Sequence, residues 1–213
     1  MTSELERSIS EVDRRILAAE LASERANGAV SLLAVSKTKP SELVRQAHGF
    51  GLSAFGENYA QEMAEKAAAL ADLPLSWHFI GPIQSNKTAL IAKVSDWVHS
   101  IDRLKVARRL SEQRPGDKAP LNVLVQINTS NEDSKSGVRP DAAPELMAAI
   151  KELRGLRLRG LMTIPAATTN QTEQHEPFRR LRELMNQRAD AASADNKPIT
   201  MDVIFSPNPP PIS

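Results

Sequence analysis

Cysteine is absent from this chain, which excludes disulfide bridges, thiol nucleophiles and zinc–thiolate centres. An excess of charge of one sign is also missing, because 27 basic residues are balanced by 26 acidic ones and the net charge is +1. A chain so balanced has no electrostatic attraction to nucleic acid or to an anionic membrane surface. We therefore expect neither as a partner.

Long apolar runs are lacking as well, and we expect no secretory leader. The first residues (Met-Thr-Ser-Glu-Leu-Glu-Arg) are too charged for a signal peptide, and no apolar run is long enough to span a bilayer. The four histidines are scattered without the spacing of metal ligands, so no metal site is expected. These absences predict a cytoplasmic protein, and 213 residues fit one domain with a sizeable core or two small domains.

What the chain has is a regular alternation of short apolar runs with amphipathic segments. The strand-then-helix order predicts an α/β fold whose parallel strands are joined by helical crossovers. Strands are predicted at residues 32–35, 52–55, 75–80, 94–98, 121–127, 156–164 and 199–205. Helices are predicted at residues 2–27, 41–48 (with Ser41 as its cap), 59–71, 103–112, 142–151 and 176–192, and a further helix follows the third strand and ends at about residue 92.

Two architectures fit this alternation, an open doubly wound sheet and a (β/α)8 barrel of the TIM type. The first strand is followed by Ser-Lys-Thr-Lys without glycine, which is unlike a dinucleotide-binding turn. Polar or reactive residues instead follow almost every strand, as in a barrel whose loops build one site at the strand C-termini. They are Lys37, Asn58, Gln84, Asp102, Asn128 and Thr163.

Lys37 is the first candidate for chemistry. It follows the apolar run 32–35, and Pro40 then prevents the strand from continuing. A partly buried amine at such a strand exit loses its proton more easily and becomes a nucleophile toward aldehydes and ketones. The same position suits a lysine that only meets water, which is the commoner case, and this segment alone leaves both interpretations open.

Several longer segments resemble one family, the pyridoxal 5′-phosphate homeostasis proteins, which are single-domain relatives of the alanine racemase barrel. The resemblance runs from about residue 5 to residue 202. Its motifs are Ala-Val-Ser-Lys at 34–37, Phe-Gly-Glu-Asn-Tyr at 55–59, Trp-His-Phe-Ile-Gly-Pro-Ile-Gln-Ser-Asn-Lys at 77–87, Ser-Ile-Asp at 100–102 and Gly-Leu-Met-Thr-Ile-Pro at 160–165.

The resemblance implies a cofactor, pyridoxal 5′-phosphate (PLP), held in an alanine racemase N-terminal-like barrel. It implies that Lys37 forms the Schiff base, that Asn58 and His78 line the cofactor ring or its support, and that Met162 lies near the pocket floor. Lys135 matches an accessory lysine in the loop after the fifth strand. The family is thought to bind PLP and hand it over to apo-enzymes as part of vitamin B6 homeostasis, without an established turnover reaction. We expect a monomer.

The end of the chain departs from the family. Relatives continue after the seventh strand with a Ser-Met-Gly-Met-Ser loop, a helix and an eighth strand, which hold the phosphate and supply an arginine near the pyridine nitrogen. Here residues 201–203 still fit, whereas residues 204–213 form a proline-rich tail. We interpret residues 1–203 as the PLP-binding barrel, incomplete after its seventh strand, and the tail as the result of a frameshift or truncation. PLP binding weaker than in a complete relative is expected.

Two other Schiff-base functions use the same residues. An amino-acid racemase needs a second base opposite the lysine, and the chain's single tyrosine, Tyr59, is predicted at a helix start. A class I aldolase needs acid–base carboxylates at strand ends, for which Glu57 and Asp102 are the candidates. From the residues alone, a core histidine is the commoner case for His78, which lies in an apolar strand, and Trp77 and Trp97 suit packing better than stacking.

Overall fold

The structure, a computed structural model, describes residues 3–129, 136–165, 168 and 170–189. In this part of the chain strands and helices alternate, and the predicted α/β class is confirmed. The strands are β1 (Ala34–Val35), β2 (Ala54–Glu57), β3 (Ser76–Phe79), β4 (Trp97–Ile101), β5 (Leu121–Gln126) and β6 (Leu156–Met162). The helices are α1 (Glu4–Ala22), α2 (Ser41–Gly49), α3 (Ala60–Ala69), α4 (Thr88–Val94), α5 (Leu104–Glu112), α6 (Ala143–Lys151) and α7 (Gln171–Ala189).

The six strands form one parallel sheet in the order in which they occur in the chain. A doubly wound sheet reverses its strand order at a switch point, whereas a barrel adds each strand beside the previous one. The observed order is therefore that of a barrel. Within the described residues β1 and β6 are not hydrogen-bonded to each other. The predicted seventh strand and the tail lie outside the described residues.

Helix boundaries follow local hydrogen bonds. A capping box starts α1, because the Glu6 N–H donates to Ser3 Oγ (3.1 Å) and the Ser3 N–H to Glu6 Oε2 (3.4 Å). The predicted Ser41 cap is wrong: Pro40 occupies the N-cap position and makes no side-chain bond there. Its extended backbone leads directly into α2, and its carbonyl accepts from the Leu43 N–H (3.0 Å).

Two strands lie further along the chain than the sequence predicts. β2 covers Ala54–Glu57 instead of 52–55, and β4 covers Trp97–Ile101 instead of 94–98. Val94 still belongs to α4, and the Asp96 carboxylate accepts the Trp77 N–H (2.9 Å) before β4 begins. The shift brings Glu57 and His99 into strands, where each contributes to the site described below.

Alternate strand residues build two cores on opposite faces of the sheet. The larger, outer core lies between the sheet and the helices, and Phe55, Met63 and Leu110 are among its members. The inner core is built from the strands and the residues next to them, namely Leu33, Val35, Ile80, Trp97, Leu124 and Met162. Among the described helices, none is long and apolar enough to cross a membrane.

Candidate functional site

Lys37 lies at the C-terminal edge of the sheet, just after β1. Leu33 and Val35 face the inner core and Ala34 the outer one, so the alternation assigns Lys37 to the inner side. Its side chain is half-buried, and its Nζ makes no hydrogen bond or ion pair with any residue that the structure describes. The strand end thus presents an amine without a partner in the described part of the chain.

Ser36, the residue before Lys37, is held by hydrogen bonds through its N–H group, its hydroxyl group and its carbonyl group. The Ser36 N–H donates to the Gly56 carbonyl (3.0 Å), and Ser36 Oγ donates to Glu57 Oε1 (2.6 Å). The Ser36 carbonyl accepts from Lys66 Nζ (2.7 Å). Ser36 points to the outer side and is 6% exposed, so little water competes for these bonds. The chain on the N-terminal side of Lys37 is therefore fixed.

The residue after Lys37 is held by the same group of side chains. The Thr38 N–H donates to Glu62 Oε1 (2.6 Å), and that same oxygen accepts from Lys66 Nζ (2.7 Å). Thr38 has a φ of +63°, a left-handed conformation that is unfavourable for a β-branched residue. A conformation of this kind persists only where the surroundings hold it. Lys37 thus lies between two residues fixed from α3.

Glu57 and Lys66 form a buried ion pair on the outer side of the sheet. Lys66 Nζ lies 2.7 Å from Glu57 Oε1; Lys66 is 5% exposed and Glu57 is 0% exposed. Burial raises the pKa of Glu57, while its hydrogen bonds with Lys66 and Ser36 oppose that rise. Because Glu57 faces away from the inner core, this carboxylate is not on the side of the sheet that the aldolase hypothesis requires.

Asn58 follows β2 on the inner side. Gly56, two residues earlier, also faces inward, since a Cβ added to it would lie 3.1 Å from Ile80 Cδ1. Asn58 Oδ1 is buried and has no hydrogen-bond partner in the described part of the chain. A Cβ on Gly81 would lie 2.2 Å from the Asn58 carbonyl oxygen, so only glycine permits the two strand ends to approach this closely.

His78 lies on the inner face of β3, below Ile80. Its Nε2 is 3.0 Å from Ser76 Oγ, and its Nδ1 is 2.8 Å from His99 Nε2. The ring stacks on Trp97 at 5.6 Å with an interplanar angle of 4°. Burial lowers the pKa of His78 to about 4 and that of His99 to about 3. Both His78 nitrogens thus have partners, as in a support beneath the site; its contact with a cofactor stays a prediction.

The inner polar cluster extends beyond the residues that the sequence indicated. The Arg159 guanidinium carbon lies 5.9 Å from the Trp97 ring centre, and Arg159 Nε donates to Asn122 Oδ1 (2.8 Å). Trp97 packs against the inner core, as the sequence suggested, and its ring also stacks on that of His78. Trp77 packs in the outer core, 6.2 Å from Phe55.

The structure places three of the other residues considered from the sequence, Met162, Tyr59 and Asp102. Met162 is fully buried in the inner core, and its place at the floor of a cofactor pocket stays a prediction. Tyr59 is 59% exposed at the start of α3, and Asp102 forms an ion pair with Arg103 (2.6 Å). Lys135 lies outside the described residues. Among those described, no group of three potential metal ligands occurs.

Comparison with known proteins identifies the family. The sequence profile of the alanine racemase N-terminal domain matches residues 17–202. The pyridoxal phosphate homeostasis protein of Pseudomonas aeruginosa is 57% identical over 183 residues, which cover 86% of this chain and 80% of the relative. The chain belongs to the pyridoxal phosphate homeostasis proteins. This confirms the family predicted from the motifs at residues 34–37, 55–59 and 77–87.

Solved structures agree with this family. PipY of Synechococcus elongatus, solved with PLP bound, superimposes with a TM-score of 0.71 at 30% identity over 83% of this chain and 84% of PipY. Alanine racemase of Clostridium difficile 630 matches with a TM-score of 0.68 at 14% identity, over 89% of this chain and 49% of the racemase. The racemase likeness shows the fold alone. The predicted alanine racemase N-terminal-like architecture is confirmed.

Proposed function

We propose that this chain binds PLP, holds it as a Schiff base on Lys37 Nζ and takes part in intracellular PLP homeostasis. The observation that carries the proposal is the amine of half-buried Lys37, which has no partner among the described residues. It lies on the inner side of the strand end, beside Asn58 in the register of β1 and β2. The family of homeostasis proteins and the PLP bound to PipY support the choice of cofactor.

The residues present fit the chemistry of PLP, which offers an aldehyde, an aromatic ring and a phosphate. Lys37 Nζ would bond to the aldehyde carbon, and the aldehyde oxygen would leave as water. The buried Oδ1 of Asn58, which has no hydrogen-bond partner in the part of the chain that the structure describes, is an acceptor for a hydroxyl or a protonated ring nitrogen. Ile80 and Met162 supply an apolar floor for the ring. When bound, the cofactor supplies an electron-withdrawing ring, as it does throughout PLP chemistry.

We further propose that the protein hands PLP to apo-enzymes without turning over a substrate. A racemase would need a second base facing the lysine, and the exposed Tyr59 is a poor candidate. Glu57, turned outward and bonded to Lys66, does not supply an acid–base carboxylate beside the amine. The expected monomer and the cytoplasmic location stay predictions of the same proposal.

Borohydride reduction of the PLP-treated protein, followed by peptide mass mapping, tests the assignment. We expect the label on Lys37 and its loss in Lys37→Ala. The matched control is Lys39→Ala, which removes an exposed lysine two residues away and should leave labelling unchanged. Label found mainly on Lys39 or Lys135 contradicts the assignment. Alanine racemisation well above that of PLP alone, abolished by Tyr59→Phe, would favour the racemase.

A further inference from the structure

We propose that Glu62 and Lys66 are positioning residues for Lys37, which act by holding both of its chain neighbours from α3. The inference rests on the proposed function, because it concerns how the same amine is presented to an aldehyde. Neither residue touches the inner side on which Lys37 lies; they act through Ser36 and Thr38.

Lys66 connects the strand, the loop and the helix through one ammonium group. Its Nζ lies 2.7 Å from each of three acceptors, the Ser36 carbonyl, Glu57 Oε1 and Glu62 Oε1. An ammonium has three protons to donate, so its donor capacity is fully used. Burial with two carboxylates makes these bonds stronger than their exposed equivalents. The position of the Ser36 carbonyl is thereby tied to that of α3.

Glu62 completes the arrangement on the other side of Lys37. Its Oε1 accepts both from Lys66 Nζ and from the Thr38 N–H. Thr38 is held at a φ of +63°, which it would leave readily without a partner. If the loop relaxes, Lys37 points inward in only a fraction of the molecules. The apparent affinity for an aldehyde that bonds to Lys37 then falls by that fraction.

The test compares three variants on α3 for PLP affinity, measured by absorbance titration, and for hydrogen exchange of the apo-protein. Glu62→Ala removes both bonds, and we expect PLP binding at least about tenfold weaker, with faster exchange confined to residues 36–40. Glu62→Gln keeps an oxygen that can accept from Thr38 and should recover most of the affinity. Glu65→Ala, an equal change at an exposed site of the same helix, should match the wild type.

A double variant, Glu62→Ala combined with Thr38→Gly, separates the positioning of the loop from the general stability of the protein. Glycine adopts a left-handed conformation without strain, so Thr38→Gly should restore part of the affinity lost in Glu62→Ala. Two results overturn the inference: Glu62→Ala binding within twofold of the wild type, or exchange that rises throughout the protein with no effect of Thr38→Gly. If the wild type itself is not labelled at Lys37, the proposed function fails. The exchange measurement on the apo-protein still decides whether Glu62 holds the loop.

Discussion

Lowering the pH from 6.5 to 5 should destabilise this protein through the two imidazoles on the inner face of its sheet. Burial holds the pKa of His78 at about 4 and that of His99 at about 3, against 6.5 for the unperturbed group. Both folded-state values are lowered, so the unfolded chain binds protons that the folded chain does not. The stability contribution is complete above pH 6.5 and is lost as the pH falls toward the folded-state values.

The magnitude follows from these values. Each histidine adds a slope that approaches about 1.4 kcal/mol per pH unit once its unfolded form is protonated. Between pH 6.5 and 5 the two together lower the free energy of unfolding by about 3 kcal/mol. That is a large part of the roughly 5–15 kcal/mol by which domains are stable. The 2.8 Å hydrogen bond between His78 Nδ1 and His99 Nε2 adds to the cost of protonating the folded protein, because one of the two nitrogens must stay unprotonated to accept it.

Urea unfolding at pH 7, 6 and 5 measures the effect. In His99→Gln, the part of the slope of the free energy of unfolding against pH that the two imidazoles contribute should fall by about half, because one of them no longer titrates. The control is His175→Gln, which removes an imidazole from the exposed surface of α7. The raised pKa of Glu57 acts in the opposite sense but is common to all three proteins, so it cancels. An unchanged slope in His99→Gln would refute the reasoning.

Three further changes probe the site. Asn58→Ala should weaken PLP binding about tenfold, the worth of one lost hydrogen bond. Urea unfolding should shift by less than ~0.5 kcal/mol, because Asn58 Oδ1 has no partner among the residues that the structure describes; a large loss of stability contradicts this. Gly81→Ala should lower the free energy of unfolding in urea by about 1–3 kcal/mol and weaken PLP binding, because the added Cβ would clash with the Asn58 carbonyl. A variant with unchanged stability and unchanged PLP binding contradicts the close approach of the two strand ends. Lys66→Met should cost about 3–5 kcal/mol at pH 8, because it leaves the buried Glu57 carboxylate without its counter-charge. Burial raises the pKa of Glu57, so the loss should shrink as the pH is lowered; a loss that stays constant across a series of melts at falling pH contradicts this.

Local patterns predict most of the elements, but not how neighbouring strands are aligned. The alternation of apolar runs and helices indicates the α/β class, and the sequence before Lys37 indicates its place at a strand exit. The sequence did not indicate His99 as a site residue, because β4 was predicted to end at Val98, which put the histidine in a loop. Its contact with His78 depends on the register in which His78 pairs with Trp97, and register between parallel strands is not a local property.

Lys66 illustrates a second limit of prediction from sequence: its burial could be predicted, but not which residues it contacts. It follows Ala60 and Met63 at helical spacing on the buried face of α3, where a lysine is out of place unless it is paired. The sequence also offers Glu62 four residues before it, a spacing that suits an ion pair. Neither fact shows that the same ammonium reaches the Ser36 carbonyl, because that contact joins residues 30 positions apart.

The fully used ammonium of Lys66 also bears on chemical selectivity. A protein that handles an aldehyde exposes its own lysines to unwanted modification, and an amine reacts only through a nitrogen lone pair. While Lys66 Nζ donates to three acceptors it has no lone pair to offer, and at 5% exposure an aldehyde can hardly reach it. The same three bonds that hold the loop therefore also make this lysine unreactive toward the aldehyde, which under the proposed function is meant for the amine of Lys37.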